Sequence, residues 1–290
     1  MKAEGKRDET TVQMRTFKKK KRRMTTPISL AFILMAITTS AYFYSHINQP
    51  SNQTTNPEAS QPKAAIVDQL SLTLPNRTFI ETATATLKLA GYAVDYFPGE
   101  NVTVEFFKSL PAYEYRIIIL RVHSTATSRQ GTQSPVTIFT SERYSSSKHI
   151  SEQLNDQLAM VSFSEEERER GITYFGIWPA FVTDCMTGNF QNTMIIMMGC
   201  QGLENTVMAK AFVEKGAKVY IGWSQSVTAG HTDTATNVLL GNFLMKNQTL
   251  KQAVQETFVE VGFDPAYGSL LTYCPLGAGE QTIEDFNSKD

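Results

Sequence analysis

A cysteine and a histidine stand where two apolar segments of the chain end. Cys200 follows the run MIIMMG at 194–199, and His123 follows the run YRIIILRV at 115–122. Short, β-branched runs of this kind predict buried strands, and the break at the glycine predicts a sharp turn before a helix. An imidazole near a thiol favours the thiolate or takes its proton during attack. If the two strands are neighbours, His123 and Cys200 form the candidate dyad of a cysteine hydrolase.

Each of these residues also has an ordinary structural interpretation. A lone cysteine after an apolar strand is more often a small buried filler than a nucleophile. A lone histidine at the end of a strand more often makes a local hydrogen bond. Their joint placement after two strong strand patterns favours the chemical interpretation.

The pattern around the two residues alternates between strands and helices from Ala64 onward. Strands are predicted at 64–70, 92–97, 115–122, 136–144, 172–177, 194–198, 218–223 and 269–274, and helices at 77–90, 102–110, 152–160, 234–245 and 250–262. A further helix follows the Cys200 turn, and Thr232 or Asp233 is the expected cap of helix 234–245. This alternation predicts an α/β fold with a doubly wound, mostly parallel sheet flanked by helices. Ligands of such folds bind at the carboxyl ends of the strands.

The amino-terminal part predicts a membrane anchor. Residues 1–26 are polar and basic and contain KKKKRR, and residues 27–46 begin with the uncharged segment PISLAFILMAITTSAYFY. That length is near the lower limit for a transmembrane helix, and its aromatic end suits the membrane interface. Basic residues stay in the cytoplasm, so everything after residue 46 is expected outside. A signal peptide cleaved near 39–41 is the alternative, and it also exports the domain.

Composition divides the exported part into three regions. Residues 47–63 are rich in Pro, Asn, Ser, Thr and Gln and are expected to form a disordered stalk. Residues 64–276 are the predicted α/β domain, and residues 277–290 are expected to be a polar tail.

Charge and modification signals agree with export. Of the 27 basic and 28 acidic residues, the first 23 positions hold ten and three, which leaves 17 basic and 25 acidic residues, a net charge of about −8. An acidic exterior argues against a nucleic-acid partner. Glycosylation sequons occur at Asn52, Asn76, Asn101 and Asn247.

The remaining cysteines and histidines give no metal site. Outside the cell, Cys185 and Cys274 could form a disulfide that leaves Cys200 free. His149 and His231 lack metal-ligand spacing with each other or with the cysteines, so no zinc site is expected. The chain also lacks a glycine-rich phosphate loop, and no cofactor is predicted.

The carboxyl half resembles the caspase-like cysteine peptidases, and is most similar to their gingipain and CHAT branches. The resemblance is best over 194–261, where CQG, GAKVYIGWSQSV, HTDTATNVLLGNFL and LKQAVQETFVEV stand in the family's order. It is looser over 64–124. The resemblance implies a His123/Cys200 dyad that hydrolyses peptide bonds through an acyl-enzyme. It also implies pocket or oxyanion positions at Ser124, Gly199, Gln201, Trp223 and Ser224.

One position departs from the family's pattern. The family usually has glycine directly after the histidine, whereas this chain has Ser124. A serine reaches glycine-type backbone angles only at a cost, so a distorted oxyanion hole is expected. A catalytically inactive surface binding or scaffold domain is therefore the alternative to a peptidase. A sortase-like transpeptidase is disfavoured, because sortases are all-β barrels and a helix follows Cys200 here.

Overall fold

A mostly parallel sheet lies at the centre of the computed structural model, which describes residues 61–129 and 132–288. Along these residues the strands are β1 (Lys63–Asp68), β2 (Ala93–Pro98), β3 (Ile117–Arg121), β4 (Ser124–Thr125), β5 (Ser128–Arg129), β6 (Thr132–Gln133), β7 (Thr137–Arg143), β8 (Leu158–Val161), β9 (Tyr174–Ile177), β10 (Thr193–Met197), β11 (Ala217–Trp223) and β12 (Leu271–Cys274). The helices are α1 (Arg77–Leu89), α2 (Val104–Ser109), α3 (Ile150–Leu154), α4 (Glu165–Glu169), α5 (Pro179–Asp184), α6 (Val207–Glu214), α7 (Ala229–Met245), α8 (Leu250–Val261) and α9 (Ile283–Asn287).

The order of the central sheet is β12-β11-β10-β3-β1-β2. Its neighbouring strands are parallel, except that β12 is antiparallel to β11. The predicted α/β class and the mostly parallel sheet are therefore confirmed. The strands before His123 and Cys200 are neighbours, with Leu120 of β3 paired with Met197 of β10.

Both faces of the central sheet are buried, which explains the continuous apolar runs in its strands. Ile118 and Leu120 of β3 face a core that includes residues of α2, α5 and α6. Ile117 and Ile119 face the opposite core, which includes residues of α1, α7 and α8. The sheet is thus covered by helices on both sides, as the alternating pattern predicts.

The prediction of a helix at 152–160 is wrong. A shorter helix, α3, ends at Leu154, and the following residues form strand β8. β8 pairs with β9 in a smaller antiparallel sheet of order β4-β7-β9-β8. The apolar residues at 158–161 suit a strand as well as a helix. Pairing with β9 makes this segment a strand.

Helix α7 begins five residues before the predicted start. Thr228 precedes its first residue, so neither Thr232 nor Asp233 caps it. Asp233 lies inside the helix and is 4 % exposed. Its carboxylate accepts hydrogen bonds from the buried guanidinium of Arg121.

The segment predicted as a polar tail is largely folded. A 3-10 turn at Leu276–Glu280 is followed by α9, and Phe286 is fully buried in the core that contains α7 and α8. A single aromatic residue among polar neighbours gives little periodic signal in the sequence. The compact unit that contains these residues spans Ser60–Asp290, so the domain includes this segment.

The predicted basic segment 1–26, membrane span 27–46 and Asn52, and most of the stalk 47–63, lie outside the described residues. Within the described part of the chain, no helix combines the length and apolar character needed to cross a membrane. Lys63, assigned to the stalk, is the first residue of β1.

Candidate active site

His123 and Cys200 line the same cavity at the carboxyl edge of the central sheet. His123 lies two residues beyond β3, and Cys200 lies three residues beyond β10. The cavity has a volume of about 80 Å³. Its other walls include Leu70, Leu74, Met198, Val227, Ala229 and Thr232. The topology therefore brings the two predicted residues to one site.

The Cys200 thiol is half-buried and faces the loop that follows β11. Its Sγ lies 3.4 Å from the carbonyl oxygen of Val227 and 3.5 Å from the amide nitrogen of the same residue. The turn before it requires glycine, because a Cβ on Gly199 would lie 2.6 Å from the carbonyl oxygen of Val122 and would also meet Ser124 Oγ. Close packing between the ends of β3 and β10 thus explains Gly199.

The His123 imidazole lies among aromatic side chains. It stacks on Phe163 with a centroid separation of 5.4 Å, and Phe139 lies 6.1 Å away. Nε2 is 3.1 Å from Thr73 Oγ1. Burial lowers the pKa of His123 to about 4, although Glu167 acts in the opposite direction. At neutral pH the imidazole is therefore uncharged and able to accept a proton.

The two dyad side chains share the cavity but have different hydrogen-bond partners. Thr73 bonds the imidazole and Val227 bonds the thiol, and no direct hydrogen bond joins His123 to Cys200 among the described residues. Catalytic hydrogen bonds are often long or misaligned before substrate binds. The arrangement is thus a neutral base and a thiol at the walls of one small cavity.

Ser124 does not strain the backbone, and the expected distortion of the oxyanion hole is wrong on this point. The residue belongs to β4 and has no positive φ angle. Its Oγ donates a 2.5 Å hydrogen bond to the carbonyl oxygen of Cys200. Ser124 therefore ties the segment after His123 to the turn that carries the thiol.

The backbone N–H groups of Ser124 and Cys200 are candidate donors to an oxyanion. Phe139 N donates to His123 O, which makes the next pair, Ser124 with Ile138, a non-hydrogen-bonded pair of the antiparallel ladder. The N–H of Ser124 consequently points away from β7. The N–H of Cys200 donates to no group among the described residues.

Gln201 has a structural role that excludes its own N–H from such a site. Its N–H donates to the carbonyl oxygen of Gln225 at 2.8 Å. Its side-chain Oε1 accepts hydrogen bonds from the Ala126 N–H and the Thr125 hydroxyl. Gln201, at φ 60°, thus fastens the Cys200 turn to the segments after β3 and β11.

The predicted pocket positions Trp223 and Ser224 support the loop after β11 and are not among the cavity's lining residues. Trp223 is buried, and its indole N–H donates to Thr232 Oγ1 at 2.9 Å. Ser224 exchanges hydrogen bonds with Leu270 through its N–H and Oγ. The cavity wall comes from residues slightly later in the chain, Val227 and Thr232 among them.

A buried ionic cluster next to the site escaped the sequence analysis. Arg121, 1 % exposed, donates to Asp68 at 2.7 Å and to both oxygens of Asp233 at 2.8 and 2.9 Å. Burial alone would lower the pKa of Arg121, but the two carboxylates outweigh burial and raise it. An arginine inside the run IIILRV was the available signal, since a charge in a buried strand needs partners.

Three further residues that support the site had no signal in the sequence. Gln69 is fully buried and accepts a hydrogen bond from the His123 N–H at 2.9 Å. Thr73 contacts the imidazole edge, and Phe163 contacts its face. Phe163 lies 40 residues after His123 in the chain, and only the fold brings them together.

The disulfide predicted between Cys185 and Cys274 is absent, because all three cysteines carry free thiols. Cys185 directly follows α5, whereas Cys274 is the last residue of the edge strand β12. Burial raises the pKa of both thiols. Of the three thiols, the thiol of Cys200 is the one that lines a cavity together with a histidine.

The described sequons differ in accessibility. Asn101 and Asn247 are exposed. Asn76 caps α1 through Oδ1, and its Nδ2, the atom that a glycan would occupy, donates to Asp233 at 2.8 Å. Glycosylation of Asn76 would break this hydrogen bond.

His149 and His231 are not among the residues that line the cavity. His149 pairs with Glu142 at 3.0 Å, and His231 contacts the ring of Trp223. Among the described residues, no three His, Cys, Asp or Glu side chains cluster to hold a metal ion.

Comparison with known proteins adds no family assignment. No protein-family model matches the chain, and a search of the curated proteins finds no significant match. The residues of the cavity and their chemistry are therefore the basis for a functional proposal.

Proposed function

We propose that this chain is a cysteine peptidase of the caspase-like type that hydrolyses peptide bonds with His123 and Cys200. One observation carries the proposal: the two residues follow adjacent parallel strands and line one cavity. The order of His123, Cys200, α6, β11 and the pair α7–α8 supports the caspase-like assignment.

The chemistry follows from a neutral imidazole and a thiol. The Cys200 sulfur attacks the carbonyl carbon, and its proton passes to His123. The C–N bond then breaks, and His123 gives the proton to the leaving amine. Water, deprotonated by His123, hydrolyses the thioester, which releases the acid and restores the thiol. The aromatic surroundings that lower the pKa of His123 keep it unprotonated before attack.

The backbone beside the thiol supplies the expected oxyanion site. The N–H groups of Ser124 and Cys200 are the donors, and the Ser124–Cys200 hydrogen bond holds the two segments together. One well-placed donor of this type contributes roughly 3 kcal/mol to the stability of the transition state. Ser124 therefore replaces the family's glycine without loss of the donor.

We further propose that the peptidase domain is exported and held at the cell membrane by 27–46, with the basic segment in the cytoplasm. The support is the apolar segment with its basic flank, and the exposed sequons Asn101 and Asn247 on the exported side. The expected substrate is a polypeptide.

A thiol-reactive peptide probe tests the dyad. The detergent-solubilised full chain is labelled as wild type, Cys200→Ala, His123→Ala and the matched control Cys185→Ala, and peptide mapping locates the adduct. We expect an adduct on Cys200 in wild type and control, none at position 200 in Cys200→Ala, and labelling roughly 100-fold slower in His123→Ala.

An inactive binding or scaffold domain is the second candidate. The separate hydrogen bonds of the thiol and the imidazole favour it. Equal labelling of all four proteins, together with no cleavage of a denatured protein substrate, would support the scaffold and overturn the peptidase.

A further inference from the structure

We propose that the cavity beside Cys200 accepts a small, uncharged aliphatic side chain from the residue before the scissile bond, so that alanine and valine are the preferred residues. This inference rests on the proposed peptidase function and names its substrate class. The cavity lies between the loop after β1, which carries Leu70 and Leu74, and the segment that carries Val227 and Thr232. A substrate carbonyl at Cys200 would place its own side chain between these walls.

The lining excludes charged side chains. The wall is formed mainly by aliphatic groups, and among the described residues no Asp, Glu, Lys or Arg lines it. Of the nearby charges, Arg121 is paired with Asp68 and Asp233, and Glu167 accepts hydrogen bonds from the Tyr174 hydroxyl and the Phe163 N–H. A lysine, arginine or aspartate side chain would lose its water and gain no partner here.

The volume selects for small groups. The cavity holds about 80 Å³. An apolar cavity of roughly 150 Å³ is the size that accepts benzene, and a water molecule takes up roughly 30 Å³. The cavity is open to solvent on one side, so a methyl or isopropyl group fits within its walls, whereas an aromatic ring or a long side chain would extend beyond them.

The backbone segments or side chains that form the walls are held by hydrogen bonds to buried groups. Thr228, next to Val227, donates two hydrogen bonds to Asp264, which is 1 % exposed. Thr232 is held by the Trp223 indole, and the Leu74 carbonyl accepts a hydrogen bond from Arg121. Each wall is thus anchored to a buried group behind it.

Peptides that differ only in the residue before the scissile bond test the inference. With the full chain in detergent, we expect kcat/KM for alanine and valine to exceed that for phenylalanine, lysine, arginine and aspartate at least about tenfold. Leu74→Ala widens the rim and should improve cleavage after leucine relative to alanine. Val227→Asp should shift the preference toward lysine and arginine, whereas Val259→Asp, on the exposed face of α8, should leave the preference unchanged.

The outcomes separate this inference from the peptidase proposal. Specific labelling of Cys200 together with best cleavage after a charged or aromatic residue would overturn the side-chain preference and leave the peptidase intact. A preference that Leu74→Ala and Val227→Asp both leave unchanged would also overturn it. Labelling without dependence on His123, and no cleavage of any peptide, would remove the peptidase and the inference with it.

Discussion

At the scale of single residues, the imidazole of His123 is the group most altered by its surroundings. Phe163 and Phe139 remove water from the ring, and Arg121 nearby also disfavours the positive charge. A histidine held neutral in this way has a free nitrogen lone pair at neutral pH, but the lowered pKa makes it a weaker base than an ordinary imidazole. It also makes the fold sensitive to acid.

We expect His123 to destabilise the domain as the pH falls from about 6.5 to about 4. In that window the unfolded chain binds a proton at this residue and the folded chain does not, so protonation favours unfolding. The loss is at most about 3 kcal/mol, from the difference between the two pKa values. Urea unfolding of wild type and His123→Gln at pH 7 and pH 4.5 measures it.

His123→Gln should lose less free energy of unfolding than wild type between these two pH values. The carboxylates of the chain titrate in the same range, but they are present in both proteins. The difference between wild type and His123→Gln therefore isolates the contribution of His123. An identical pH dependence in the two proteins would contradict the lowered pKa.

At the scale of elements, the ends of β1 and β3 are joined to helix α7 by the cluster of Arg121, Asp68 and Asp233. The three residues are each 4 % exposed or less. Arg121 also lies over the ring of Phe79 in α1, 5.6 Å from its centroid. The cluster thus connects the strand that leads to His123 with the helix that carries a wall of the cavity.

We expect Arg121→Met to lower the free energy of unfolding by about 3–5 kcal/mol, because it leaves two buried carboxylates without a counter-charge. Urea denaturation measures the loss. The control Arg77→Ala removes the exposed Arg77–Glu81 pair and should lower the free energy of unfolding far less than Arg121→Met. A similar small effect of both substitutions would show that the cluster does not stabilise the fold.

At the scale of the whole molecule, the carboxyl-terminal segment completes the core beneath α7 and α8. Phe286 is fully buried and contacts Phe243 of α7 edge-on at 5.7 Å. The Tyr92 hydroxyl donates to Asn287 at 2.8 Å, which fixes the same segment near the start of β2. The domain therefore extends beyond the predicted end at residue 276.

We expect Phe286→Ala to lower the free energy of unfolding by about 3–5 kcal/mol, since it removes a buried aromatic ring and leaves a cavity. The neighbouring control Leu276→Ala is 77 % exposed and should change stability by no more than about 0.5 kcal/mol. Thermal unfolding of both variants checks the difference. Equal midpoints would mean that the segment is not part of the core.

The sequence by itself determined the α/β class, most of the strands and the placement of His123 and Cys200 directly after two of them. These features follow from local patterns, because a buried parallel strand must be apolar on both faces and must be followed by a crossover. The same reasoning failed for β8, for the start of α7 and for the final helix, where the deciding contacts are distant in the chain.

Only the tertiary structure decided the shape and chemistry of the cavity. The partners of Arg121 lie 53 and 112 residues away, and the aromatic face against His123 comes from Phe163. The unstrained backbone of Ser124, which has no positive φ angle, follows from its pairing in β4. Such features depend on which segments contact each other in the folded chain. A sequence pattern predicts local structure and does not predict these distant contacts.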